Sequence, residues 1–176
     1  MPNGIFFVLQ GWCLQRYETS QGNSILYTIL GQADAIGLTE ALSAEPAPYD
    51  VSTGSDVEGL FLSRDSLEFL QGEQVFWREA YGFLARAHNR LLDRLAVQAT
   101  LPLEGRIAHF LLETASVLEQ TPVPRLTQGL IAQGIGASRP KVNRVLQHFR
   151  ELALVDLENG RVVAVVDPVG LRQFLD

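Results

Sequence analysis

The 176-residue sequence is 47% hydrophobic and 19% charged, enough apolar material for a packed core and too little charge for a disordered chain. Its longest apolar runs, such as Ile5–Leu9 and Val162–Val166, fall far short of the roughly 20 residues a membrane-spanning helix needs, and no basic segment marks a signal peptide. The single cysteine, Cys13, excludes an internal disulfide and a cysteine-rich metal site, so the expected setting is the cytoplasm, and the net charge of −6 conceals an asymmetry taken up below.

Residues 4–62 read as strands and turns. Ile5–Leu9, Trp12–Tyr17, Ile25–Leu30 and Leu60–Leu62 are β-rich runs, separated by Gly11, the polar turn Thr19–Asn23, Gly31 and Gly37. Pro46 and Pro48 keep Ser43–Tyr49 out of a central strand and make it a loop or an edge. Arg64–Leu70 is a short helix, broken by Gly72. From Glu73 to Ala99 the period is helical, and Trp77, Tyr81, Leu84, His88, Leu91 and Leu95 follow the 4, 3, 4, 3, 4 spacing of a coiled-coil seam. That stripe predicts a helix-mediated dimer, with Arg78, Arg86 and Arg90 on solvated faces. Pro102 opens a further helix to about Glu119, whose buried side carries Leu103, Ile107, Phe110, Leu111, Thr114 and Leu118, and Thr121–Pro124 ends it.

Thr127–Phe149 reads as helix, tight turn, helix. Thr127 caps the first helix, Ala132 admits a crossing helix, and Gly136 supplies a positive φ in the turn. Ile135, Val142 and Val145 seal the angle, Ser138 caps the second helix, and Pro140 falls in its first turn. These spacings fit a DNA-binding helix-turn-helix. Behind it, Glu158–Asn159–Gly160 turns a hairpin between Leu154–Leu157 and Arg161–Val166, the wing of a winged helix, and Asp167–Pro168 opens a last short helix.

The charge asymmetry agrees with this reading. Residues 1–70 hold Arg16 and Arg64 against nine acidic residues, whereas residues 124–151 hold Arg125, Arg139, Lys141, Arg144 and Arg150 against Glu151 alone. The second helix turns Arg139, Lys141, Asn143 and Arg144 outward. Arginine forks onto guanine and asparagine onto adenine, so Arg139, Arg144 and Asn143 are the candidate base readers. Thr127, Gln128, Ser138 and Lys141 are candidates for phosphate contacts that set register. His88, His109 and His148 form no ligand pair, and no catalytic or metal-binding constellation is read, so an enzyme is not expected.

The chain resembles the Crp–Fnr family of bacterial transcription regulators. The resemblance lies in Gly105–Ala108 and the helix that follows, in Leu126–Gln128, in Ile135–Arg139 and in Arg144–Leu146; Phe6–Gly11 and Ile36–Gly37 are similar to the family's sensory roll. It implies an α+β fold with a partial antiparallel β-roll of the cyclic-nucleotide-binding type over residues 1–71. A long dimerisation helix over 72–100 and a winged helix-turn-helix domain over 101–176 would follow. The implied partners are double-stranded DNA at a palindromic site, a second copy of the chain, RNA polymerase and a small-molecule effector.

Three departures qualify the resemblance. Leu38 follows Gly37 where cyclic-nucleotide binders place glutamate, and Ala47 and Pro48 stand near their phosphate-binding arginine, so no cation is expected in the pocket and a cyclic nucleotide is disfavoured. Glu40 is the one acid that could slide into register. Pro140 replaces a glutamate that reads cytosine in the best-known half-site. Family members also carry strands before the one at Ile5–Leu9, so the roll is expected to be shortened, naturally or through a late start. An effector-independent regulator, and a sensor whose winged helix docks on protein, are the alternatives.

Overall fold

The computed structural model describes residues 4–20, 22, 24–43, 45–117 and 126–175. The predicted end of the Pro102 helix at Glu119, with Leu118 and Thr121–Pro124, lies outside them, as do Gln21 and Asn23 of the first turn.

The N-terminal half folds as two antiparallel three-stranded sheets. Strands β1 (Gly4–Gln10), β4 (Ala35–Ile36) and β6 (Glu58–Ser63) form one in the order β4-β1-β6. Strands β2 (Cys13–Glu18), β3 (Ser24–Leu30) and β5 (Asp50–Thr53) form the other in the order β3-β2-β5. Strict alternation does not set the faces here: Ile5 and Val8 of β1, and Leu26 and Ile29 of β3, are all buried although each pair is three residues apart, and in β3 the register with β2 shifts at Tyr27. Three short elements of this half escape the sequence reading, the two-residue strand β4 among them. Helix α1 (Leu38–Ser43) is only six residues long, and β5 reads Asp-Val-Ser-Thr, without apolar alternation. Long-range pairing with β2, in the register Cys13 to Thr53 and Arg16 to Asp50, holds β5 in place, and Arg16 donates to the Ser52 hydroxyl at 2.5 Å.

Helix α2 (Arg64–Leu70) starts at Ser63, whose hydroxyl accepts from the Ser66 amide, and α3 (Gln74–Thr100) follows the break at Gly72. The face of α3 turned to the roll is Phe76, Ala80 and Phe83, with Leu84 at its margin, packed on Ile5, Leu38 and Leu67. This stripe lies one residue before the predicted seam, and most of that seam is exposed: Trp77, Tyr81, His88, Leu91 and Leu95 face outward.

Helix α4 (Leu103–Val117) opens the C-terminal half. Strand β7 (Leu126–Thr127), helices α5 (Gln128–Ile135) and α6 (Arg139–Glu151), strands β8 (Val155–Glu158) and β9 (Arg161–Val165) and helix α7 (Pro168–Arg172) follow, and a 3-10 turn at Gln173–Leu175 closes the described chain. A single apolar core joins α4, α5, α6 and the wing strands to the face of the β3-β2-β5 sheet, through Trp12, Leu14, Leu26 and Ile29. Burial at this junction ties the reading domain mechanically to the roll. No helix among the described residues is long and apolar enough to cross a membrane.

Candidate nucleic-acid interface and adjoining cavity

Local chemistry fixes the helix-turn-helix. The Thr127 hydroxyl accepts from the Leu130 amide at 3.1 Å, satisfying one of the unpaired donors at the start of α5. Gly136 ends α5 at φ 64° and ψ 40°, the left-handed region, and the Ala137 amide closes the turn on the Ala132 carbonyl. A Cβ on Gly136 would meet nothing within 4 Å, so its substitution costs backbone strain alone. Gly136→Ala is therefore expected to lower stability by about 1–2 kcal/mol, read as a melting-temperature loss of a few degrees. Gly134 differs: a Cβ there would lie 2.4 Å from the Phe110 ring, so α4 and α5 approach only because that position has no side chain.

In α6 the inward residues Val142, Val145, Leu146 and Phe149 are buried, while Arg139, Pro140, Lys141 and Arg144 are exposed. None of Arg139, Lys141 and Arg144 forms an ion pair with a described residue. Three cationic side chains thus stand on one helical face with their donors available. Asn143 differs, being half-buried, with its Oδ1 accepting from Gln128 at 2.7 Å and from Gln147 at 3.4 Å. A bidentate grip on adenine needs that oxygen as an acceptor, so Asn143 must break these bonds to read a base as the sequence suggested. Gln128 is buried by the same contact, which leaves Thr127 as the exposed member of the pair expected on phosphates.

Ser138 takes the extended cap conformation, but its hydroxyl makes no capping bond, contrary to expectation. Pro140 removes the amide of the second helical residue, one of the two donors a cap would meet, but the Lys141 amide remains, so the proline alone does not account for the missing bond. The hydroxyl sits exposed at the entrance of the helix. In the wing, Asn159 and Gly160 adopt φ 50° and 73°, the paired positive values of a tight hairpin turn. Strand β9 pairs with both β8 and β7, setting Arg161 opposite Thr127, so the wing and the first-helix cap share one small sheet.

A cavity of about 420 Å³ opens between β3, α1, the loop at 45–49 and α3. Sequence reasoning expected no cation there. Among the described residues of the roll no cation lines it, but α3 supplies two, Arg90 and Arg94, which corrects that expectation, and Arg90 is not on a solvated face as expected. Arg90 donates to both oxygens of Asp34, at 2.6 and 3.3 Å, and that hydrogen bonding raises its pKa against the opposing effect of burial. Arg94 grips Glu113 of α4 at 3.0–3.2 Å and donates to the Tyr27 carbonyl, so one side chain links the cavity wall to the reading domain. Arg86 is exposed, in keeping with a solvated face, and its guanidinium stacks over the Phe83 ring at 4.6 Å. The signal for these residues was the second stripe on α3: Phe76, Ala80, Phe83, Ala87, Arg90 and Arg94 repeat the spacing of the seam one position earlier.

Residues 105–174 match the Crp-like helix-turn-helix domain, and residues 1–73 match the cyclic nucleotide-binding domain. Together the two matches give the chain the domain pair of a Crp/Fnr-type DNA-binding transcription regulator. A relative from Mycobacterium tuberculosis, described as a CRP-like cAMP-activated global transcriptional regulator, is 26% identical over 170 residues, covering 93% of this chain and 75% of its own. Among solved structures, a CRP/FNR-family regulator from Thermus thermophilus superposes with a TM-score of 0.80 at 18% identity, covering 98% of this chain and 87% of that one. FixK2 from Bradyrhizobium japonicum superposes with a TM-score of 0.79 at 19% identity, over 99% of this chain and 88% of its own. The Crp/Fnr fold thus accounts for both halves: a roll that carries a cavity and a winged helix that carries the cationic face.

Proposed function

We propose that this Crp/Fnr regulator binds a palindromic DNA site as a homodimer in the cytoplasm, under the control of an effector other than a cyclic nucleotide. The observation that carries the reading is the outward face of α6, where Arg139, Lys141 and Arg144 are exposed and unpaired among the described residues. Arg139 and Arg144 read base edges in the major groove, with Asn143 a secondary reader. Lys141, Thr127 and Ser138 hold phosphates, and Gln128 acts by bracing Asn143. The largely exposed seam Trp77, Tyr81, Leu84, His88, Leu91 and Leu95 pairs two copies through α3, placing two α6 helices in successive major grooves about 34 Å apart. In this division residues 1–71 sense, 72–100 dimerise and 101–176 read DNA. RNA polymerase is the expected partner of the bound dimer.

Arg144→Ala is expected to cost about 1–3 kcal/mol of binding and to relax the preference at one base pair of each half-site, measured by competition with single-base variants. A loss equal on every sequence would instead make Arg144 a phosphate contact. Against a cyclic nucleotide stand Leu38 after Gly37 and the commitment of both cavity arginines to carboxylates, which leaves a buried phosphate without a free cation. Titration calorimetry with cyclic AMP is expected to show no saturable heat, and micromolar binding would refute this part of the reading.

A further inference from the structure

The cavity holds one polar atom that no described residue satisfies. Glu40 of α1 is only 5% exposed and lines the cavity, and its Oε2 has no hydrogen-bond partner among the described residues. Its carboxylate takes part in a hydrogen bond with the Tyr49 hydroxyl, which also meets Gln15, and burial together with Glu40 pushes the Tyr49 phenol well above its ordinary range. No cation among the described residues pairs with Glu40. A buried carboxylate oxygen left open is uncommon and costly, and it is complementary to a donor brought from outside.

The rest of the lining fits the same chemistry. Tyr17, Tyr27, Tyr49 and Phe83 contribute aromatic rings, and Tyr27 and Tyr49 lie stacked, 6.4 Å between centroids and 16° between planes. Aromatic faces beside a carboxylate attract organic cations, because the ring quadrupole and the anion act with the same sign. The arginines that would attract an anion are already spent, Arg90 on Asp34 and Arg94 on Glu113.

We propose that this cavity takes a small organic cation, an amine or ammonium group on an apolar or aromatic body, with the charged nitrogen placed on Oε2 of Glu40. The inference rests on reading the cavity as the effector site of the regulator. Arg94 then gives the ligand a route to the reading domain, since it touches Tyr27 at the cavity wall and Glu113 on α4.

The test uses the full chain without DNA and compares probes of matched shape and opposite charge. These are tryptamine against indole-3-acetate and phenethylamine against phenylacetate, with benzyltrimethylammonium as a further cation and cyclic AMP as a further anion, followed by ligand-observed NMR and calorimetry. At least one of the cations is expected to bind ten-fold or more tightly than its anionic counterpart. Glu40→Gln, checked for folding by its melting temperature, is expected to erase that preference. Failure of all three cations to bind at millimolar concentration, or equal or tighter binding of an anion, overturns the proposal; the wild-type comparison stands even if the variant misfolds. DNA affinity measured with and without the bound cation separates the two readings. Cation binding that leaves DNA affinity unchanged keeps the ligand class and refutes effector control, whereas DNA binding without cation binding refutes only the ligand class.

Discussion

The double variant Tyr81→Glu, Leu95→Glu will be monomeric and will lose roughly 1,000-fold in affinity for a palindromic duplex, the distance between specific and non-specific binding. Both side chains point away from the roll, Tyr81 at 68% exposure and Leu95 at 57%, on a stripe that also includes Trp77 and Leu91. An apolar stripe of this length on a charged chain calls for cover, and its heptad spacing matches a second copy of itself. Glutamate is a good helix former, so α3 persists, while like charges face each other across the seam. The inner stripe at Phe76, Ala80 and Phe83 is untouched, so the roll keeps its packing. Sedimentation velocity and anisotropy on the same duplex check this together. A variant that stays dimeric would move the interface elsewhere.

The second large effect concerns the seat of α6. Phe149 is fully buried, and its ring lies 4.9 Å from that of Phe174 in the closing turn, tilted at 57° to it in the manner aromatic pairs prefer. Phe149→Ala is expected to cost about 3–5 kcal/mol through lost burial and the cavity left behind. For a chain of this size that is a fall in melting temperature of roughly 6–20 °C. Because Trp12, Leu14, Leu26 and Ile29 share one core with Phe149, the roll and the winged helix are expected to melt in a single transition. Two separate transitions, with the roll unaffected, would mean that this junction does not couple them.

Much of the fold was legible because the controlling signals are local. Pro140, Gly136 and the inward triplet Val142, Val145 and Leu146 define α5, the turn and α6 through spacing alone, and Asn159–Gly160 defines the wing. Strand β5 and helix α1 were not legible, since four polar residues and six mixed ones carry no period, and pairing with β2 or closure over the cavity decides them. The cavity cations were missed for a different reason. Helix α3 bears two adjacent stripes with identical 4 and 3 spacing, and periodicity cannot say which one meets the roll. Arg90 looked solvated beside the stripe that was read, and its partner Asp34 lies 56 residues away. The bond between Gln128 and Asn143 is likewise a contact across the turn, invisible in a list of outward-facing side chains.

The most direct measurement is selection of duplexes from a random pool at two salt concentrations, followed by counting chains per selected duplex. A palindrome is expected to be enriched without added ligand, two chains to occupy it, and affinity to fall with salt by about 0.9 in log–log slope for each phosphate contacted. No enriched sequence, with binding that is absent or indifferent to salt, would contradict this reading and leave the cationic face of α6 as a surface for docking protein.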